Sequence, residues 1–261
     1  MASQVQSEGQ EAGAGIDPMH QFEVHSLYDL PTIMGIDTSF TNASLWMVLA
    51  VGSIMLLMAL TARTTSIVPG RMQSLGELAY GFIAGMVKQN VGNEGMKYFP
   101  FIFTLFMFIL FCNMLGMLPY SYTVTSHLIV TFALAASVFI LVTAVGFMKH
   151  GIGFLKLFVP SGIPAVLLPL LVVIELISYL TRPVSLSVRL FGNMMAGHTM
   201  LKIFGGFVVG LSSAGLIPLA IAPFALMVAF TGLELLIAGL QAYVFTVLTC
   251  IYLNEAIHMD H

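Results

Sequence analysis

Charge is what this sequence lacks most. Among 261 residues only nine are Lys or Arg and twelve Asp or Glu, and residues 1–40 contain no Lys or Arg at all. No basic patch is available for nucleic acid, and a net charge of −3 says little about partners when the charges are confined to loops and a few apolar stretches. The two cysteines, Cys112 and Cys250, lie in apolar runs with no neighbour at metal-ligand spacing, so they read as small buried hydrophobes. A Gly-x4-Gly-Lys-Ser/Thr phosphate loop, a His-Glu-x-x-His pair and a Gly-x-Ser-x-Gly elbow are all missing, so the chain alone is not expected to bind ATP or cut bonds. No cofactor and no metal is expected. The N-terminus also lacks the basic start and early apolar core of a secretory signal.

What is present is apolar. Hydrophobic residues make up 58% of the chain and charged ones 8%, the composition of an all-α polytopic membrane protein. Residues 1–40 form a polar, acidic segment that stays outside the lipid; His20 and His25 within it make only a weak metal pair. Residues 41–158 hold three ordinary spans, expected at 45–60, 99–118 and 128–147. Between the first two, Leu75, Leu78, Ala79, Phe82, Ile83 and Met86 recur at helical spacing, which predicts an amphipathic surface helix near 70–90. The loops at 61–98 and 148–157 carry six of the nine basic residues and the 119–127 turn carries none. By the positive-inside rule the N-terminus is outside and both basic loops are cytoplasmic.

Residues 159–261 are read as two long tilted helices. The first runs from Pro169 to Phe204, about 54 Å if continuous against a core of about 30 Å, and it kinks at Pro183. Gly205, Gly206, Gly210, Ser212, Ser213 and Gly215 predict the turn, and the second helix is expected from Pro223 to His258, followed by a cytoplasmic tail. At 100° per residue Glu175, Ser178, Arg182, Ser185, Arg189, Asn193 and Ala196 share one stripe about 80° wide. A cation at the bilayer centre costs about 2.5–3.5 kcal/mol on insertion scales, so such a stripe faces protein or a wet cavity. Arg189 lies eight or more residues, about 12 Å, from either plausible end, beyond the reach of snorkelling. Arg182, beside Pro183, fits a snorkelling or a functional role equally well. Glu234, Gln241 and Tyr252 share a face of the second helix, and His198 falls about 180° from Arg189, where it can pair with Glu234 as a proton relay or as a structural contact. Within the chain Arg189 has only Glu175, about 21 Å away along the helix, and Glu234 as buried anionic candidates. It is therefore available for a carboxylate on another protein, whose ionised form it would favour.

Two stretches then carry a resemblance. Ser185-Leu-Ser-Val-Arg189-Leu-Phe-Gly-Asn193-Met-Met-Ala-Gly-His198, followed by Leu240-Gln-Ala-Tyr-Val-Phe-Thr-Val-Leu-Thr249, is similar to the signature of subunit a of the bacterial F-type ATP synthase membrane (Fo) sector. Pro18-Met-His-Gln-Phe-Glu and Val68-Pro-Gly-Arg-Met-Gln-Ser fit the same family, and the likeness runs from about Met19 to the C-terminus, leaving 1–17 outside it. The resemblance implies a non-catalytic, proton-translocating stator in the bacterial inner membrane. Its expected partners are the c-subunit ring, the peripheral-stalk b subunits, the rest of the complex and membrane lipid. Arg189 matches the arginine that meets the ring carboxylate; Asn193, His198, Glu234 and Gln241 match the half-channel from outside, and Glu175, Ser178 and Ser185 lie near the one to the cytoplasm. His198 and Glu234 stand in exchanged order relative to some bacterial members, as in mitochondrial forms. A self-contained transporter is disfavoured for want of an inverted repeat, and an intramembrane hydrolase for want of a nucleophile and base within any span.

Overall fold

A computed structural model of the chain describes residues 22–28, 39–62, 69–118, 121–159 and 167–258. Residues 1–21, with His20 and most of the motif at 18–23, Val68 of the second motif, Arg63 in the first basic loop and the end of the expected tail lie outside the described residues, as does the side chain of Lys156.

Among the described residues six helices carry the architecture, in the order α1 (Asn42–Ala62), α2 (Arg71–Asn90), α3 (Phe99–Gly116), α4 (Leu128–His150), α5 (Leu168–Ser213) and α6 (Ile217–Ile257). Every one except α2 lies within a segment long and apolar enough to cross a membrane. Without water to bond the backbone, helix is the form that satisfies each N–H and C=O internally, so runs rich in Leu, Val, Phe and Met become helical whatever their β-propensity. The fold is therefore all-α and polytopic. Short 3-10 segments at Asn93–Tyr98, Val124–Ser126 and Gly151–Phe158 connect the helices.

Helix α6 is the central element, packing against α5, α3 and α4, with α2 across part of it; α1 rests on α3 and α2. The core where they meet includes Val87, Ile109, Val138, Leu190, Phe245 and Leu253, all buried. On α2 Ile83 and Met86 face this core, whereas Leu75, Leu78 and Phe82 stay about half exposed or more, so an apolar stripe is left uncovered by the bundle. After α4 the chain folds back, and Phe154 packs against the rings of Phe147 and Tyr179. Its ring lies so close to Gly146 that any side chain there would collide with it.

Several boundaries differ from expectation. Helix α5 continues through Gly205, Gly206 and Gly210 to Ser213, and the turn shrinks to Ala214, Gly215 and Leu216. Glycine's conformational freedom normally weakens helices, but in lipid an unwound turn would strand backbone groups, which costs more. Helix α6 begins at Ile217 and holds Pro223 inside it, where Pro223 was expected to start the helix. Seven residues in, that proline removes one backbone donor near the end of the helix. At 46 and 41 residues, α5 and α6 are about 69 and 62 Å long, twice a core of about 30 Å, so neither stands upright. A small antiparallel pair, β1 (Ser26–Tyr28) with β2 (Phe40–Thr41), precedes α1 and was not foreseen. Asn42 ties it down by donating to Glu23 O and accepting from the backbone N–H groups of His25 and Ala43.

Gly215 has φ +77°, in the left-handed region. Gly215→Val is expected to destabilise the α5–α6 turn by about 1–2 kcal/mol, read as a lower midpoint of thermal unfolding in detergent, whereas Gly210→Ala within α5 should not lower it.

Candidate functional site: a polar seam between the two long helices

Three groups of polar residues are spaced along α5 where it meets α6. At one end Arg182 forms an ion pair with Glu255 of α6. Its guanidinium also lies 5.4 Å from the ring centre of Tyr179 and 4.9 Å from that of Tyr252, within cation–π range. Tyr179 OH is 2.7 Å from Thr143 Oγ1 on α4. Arg182 is thus a packed structural cation and not a snorkelling one, and Glu255, near the end of α6, is its partner. Glu94, Lys149 and His150 gather at the same end: Lys149 pairs with Glu94, and His150 Nε2 lies 3.1 Å from Ile257 O.

Seven residues on, Arg189 projects from α5 as an exposed side chain, and among the described residues it has no ion pair. Glu234 does not turn toward it, and Glu175 remains half buried a long way back along α5. Ser178 and Ser185 are exposed on the same helix.

At the other end His198 and Glu234 are 9% and 3% exposed. His198 Nδ1 stands 3.2 Å from Glu234 Oε1, an ion-pair distance that lacks the alignment of a hydrogen bond, so both carboxyl oxygens lack a hydrogen-bond partner among the described residues. The juxtaposition is the one the helical angle count allowed, with His198 facing away from Arg189. Thr123 Oγ1, in the loop after α3, approaches His198 Nε2 at 2.7 Å. Beside the pair lies a cavity of about 200 Å³ lined by Asn193, Gly197, Phe230, Glu234 and Ile237. It has room for water molecules next to a carboxyl that needs partners. Gln241 is buried two turns along α6 from Glu234.

Sequence reasoning missed the support behind this end. Asn113 is completely buried on α3; its Nδ2 donates to Ala238 O of α6 at 3.1 Å and its Oδ1 accepts from Thr125 at 2.8 Å. The signal available was a lone amide inside the aromatic, apolar run at 99–118. Thr123, Thr125 and Ser126 are buried too, although they sit in what read only as an uncharged turn. In that loop the rings of Tyr122 and His127 stack with their OH and Nε2 in contact. Burial pushes the Tyr122 hydroxyl up to about 12 and lowers the His127 imidazole below its ordinary value, so both stay neutral near pH 7.

The family model described as "ATP synthase A chain" matches residues 44–254, most of the chain. The chain belongs to the ATP synthase A chain family. Similar proteins named "ATP synthase subunit a" include that of Pelagibacter ubique, 58% identical over 245 residues, with 94% of this chain and 99% of the relative covered. That of Parvibaculum lavamentivorans is 57% identical over 256 residues, covering 97% and 98%, and that of Rhizobium meliloti 58% identical over 244 residues, covering 93% and 97%. Arg189, Asn193, His198, Glu234 and Gln241 all fall within the stretch that matches the ATP synthase A chain model, as does Thr123; Glu255 lies one residue beyond it.

Gly197 is the close approach that lets Glu234 reach His198. A Cβ at 197 would lie 2.7 Å from Glu234 Oε1, whereas one at Gly192 would meet nothing within 4 Å. Gly197→Ala is therefore expected to destabilise the α5–α6 contact by about 1–3 kcal/mol, seen as a lower unfolding midpoint in detergent, with Gly192→Ala as the control that loses nothing.

Proposed function

We propose that this chain is the proton-translocating stator subunit of an F-type ATP synthase in the bacterial inner membrane. It supplies two aqueous half-channels and the arginine that deprotonates the carboxylate of a rotating c-subunit ring. Family membership supports the subunit assignment, and Arg189 carries the mechanism. Arg182 has Glu255 and His198 has Glu234, yet Arg189 lies between those pairs with its charge uncompensated among the described residues. By helix rise it sits about 10 Å from Arg182 and about 14 Å from His198, too deep in lipid to be left alone. A carboxylate arriving on another subunit would supply the missing anion.

In this reading residues 159–261 form the ring-facing unit, residues 41–158 brace it, residues 1–40 lie outside, and peripheral-stalk b subunits are further partners of the chain. The end marked by Lys149, Glu94 and Glu255 is cytoplasmic, and the end marked by Thr123 and His198 faces outward. A proton enters from outside through the cavity at Asn193 and Glu234, with His198 and Gln241 along the same seam, and neutralises a ring carboxylate. That carboxyl can then turn through lipid. When it returns to Arg189 from the other side, the fixed guanidinium favours its ionised form, and the proton leaves past Ser185, Ser178 and Glu175 to the cytoplasm. Each charge moved across 100 mV contributes about 2.3 kcal/mol, so ATP synthesis needs several per molecule. The same positive charge blocks direct passage between the half-channels. The chain acts in coupling alone, and nucleotide chemistry belongs to other subunits.

The test is proton flux in inverted membrane vesicles carrying Arg189→Ala. ATP-driven pumping should fall to background, while passive flux after removal of the soluble sector persists or rises. Normal ATP-driven pumping by the variant would sink the mechanism.

A further inference from the structure

The hydroxyl of Thr123 makes two contacts, 3.2 Å to Gly116 O and 2.7 Å to His198 Nε2. A carbonyl oxygen can only accept, and a threonine hydroxyl has one proton to give. Both contacts are hydrogen bonds in one assignment alone: Thr123 donates to Gly116 O and accepts from Nε2–H of His198. The neutral imidazole is then left with its lone pair on Nδ1, 3.2 Å from Glu234 Oε1. An unprotonated Nδ1 beside an ionised, buried carboxylate at that distance is repulsive, so one of the two groups must carry a proton, Glu234 on its carboxyl or His198 on Nδ1. The surroundings leave this proton few other places. Glu234, from α6, is the titratable group in contact with the ring. Lys202 lies one turn further along α5, and Tyr122 and His127 flank Thr123 in the loop.

We propose that Thr123 is the positioning residue of the outer proton path, holding His198 as its Nε2–H tautomer so that it takes up and releases a proton only at Nδ1, the nitrogen beside Glu234. The inference rests on the outer path described above and deepens it. Proton exchange within the pair breaks Oε1–H and forms Nδ1–H, or the reverse, while Nε2–H stays bonded to Thr123. The imidazole never has to flip, and the loop hydroxyl, its own proton held by Gly116 O, anchors the ring without passing a proton outward. Thr123 itself is fixed because Gly116 admits it closely: a Cβ at 116 would come 2.9 Å from Thr123 Cγ2.

The test uses the assembled complex in inverted vesicles stripped of the soluble sector, with passive proton flux followed over a range of lumenal pH. Thr123→Val keeps the shape and removes the hydroxyl; it should slow flux roughly tenfold and displace the pH profile, because the ring is then free to take either tautomer. Thr123→Ser should restore both rate and profile. Wild-type flux and profile in Thr123→Val, or a Thr123→Ser variant as defective as Thr123→Val, would overturn the role of Thr123. His198→Ala and Glu234→Gln are measured alongside. If these two leave flux and profile unchanged, the outer path itself is wrong; if they are impaired while Thr123→Val is not, only the positioning role falls. Should Thr123→Val fail to assemble, nitrogen-15 spectra of histidine in the wild-type complex decide, with the His198 resonance identified by its loss in His198→Asn. A neutral ring protonated at Nε2 supports the proposal, and one protonated at Nδ1 overturns it.

Discussion

Hydrocarbon offers no partner to a polar atom, and the rest of this structure follows from that constraint. Backbone groups must bond within their own segment, so the apolar runs form helices and two of them stay helical through glycine and proline positions that would break a helix in water. Side chains face the same demand. Asn113 uses both ends of its amide, bonding Ala238 O and Thr125; Ser126 reaches Thr123 O beside it, and at the other end Tyr179 and Thr143 bond each other. The polar atoms do not loosen the bundle; they pin α3, the loop after it and α6 into one register.

Charges show the constraint most sharply. Arg182 is neutralised by Glu255 and covered by Tyr179 and Tyr252, which makes it a clamp between α5 and α6 at one end. His198 and Glu234 form the matching contact at the other end, with the carboxyl beside a cavity large enough for water. Arg189 falls between the clamps, held at a fixed depth by them and lacking an ion pair among the described residues. In the proposed mechanism its counter-charge arrives on another subunit and leaves again. The proposed chemistry thus lies in a pairing that the chain leaves incomplete, between two pairs that it completes.

The helices' length serves the same end. Helices about twice as long as the core is thick lie obliquely, so α5 presents an extended, mostly apolar side to its surroundings, with Val173, Ile177, Leu180, Val184 and Val188 all about half exposed. In the proposed function this is the surface past which the ring turns. The cavity at Asn193 and the exposed serines 178 and 185 lie on opposite sides of Arg189 along the helix, the separation that the proposed pair of half-channels requires.

Much of this could be read from the amino-acid order. Helical class, the five apolar helices, the amphipathic α2 and the identity of Arg189 as the unusual charge follow from composition and from a 100° repeat, because each is set by a residue's own transfer energy and by helix geometry. Even the meeting of His198 with Glu234 was foreshadowed by the angle that turns His198 away from Arg189. The ends of α5 and α6 were misjudged because glycine and proline were weighed as they behave in water. Other features needed the packed bundle. Nothing in the order of residues joins Arg182 to Glu255 across 73 positions, or Thr123 to His198 across 75. Those contacts depend on how α5 and α6 lie against each other and on where the loop after α3 packs against α5, and helix packing is decided by the fit of many side chains at once. Residue order therefore determined which groups could not be left alone in lipid; only the tertiary structure decided which of them found a partner.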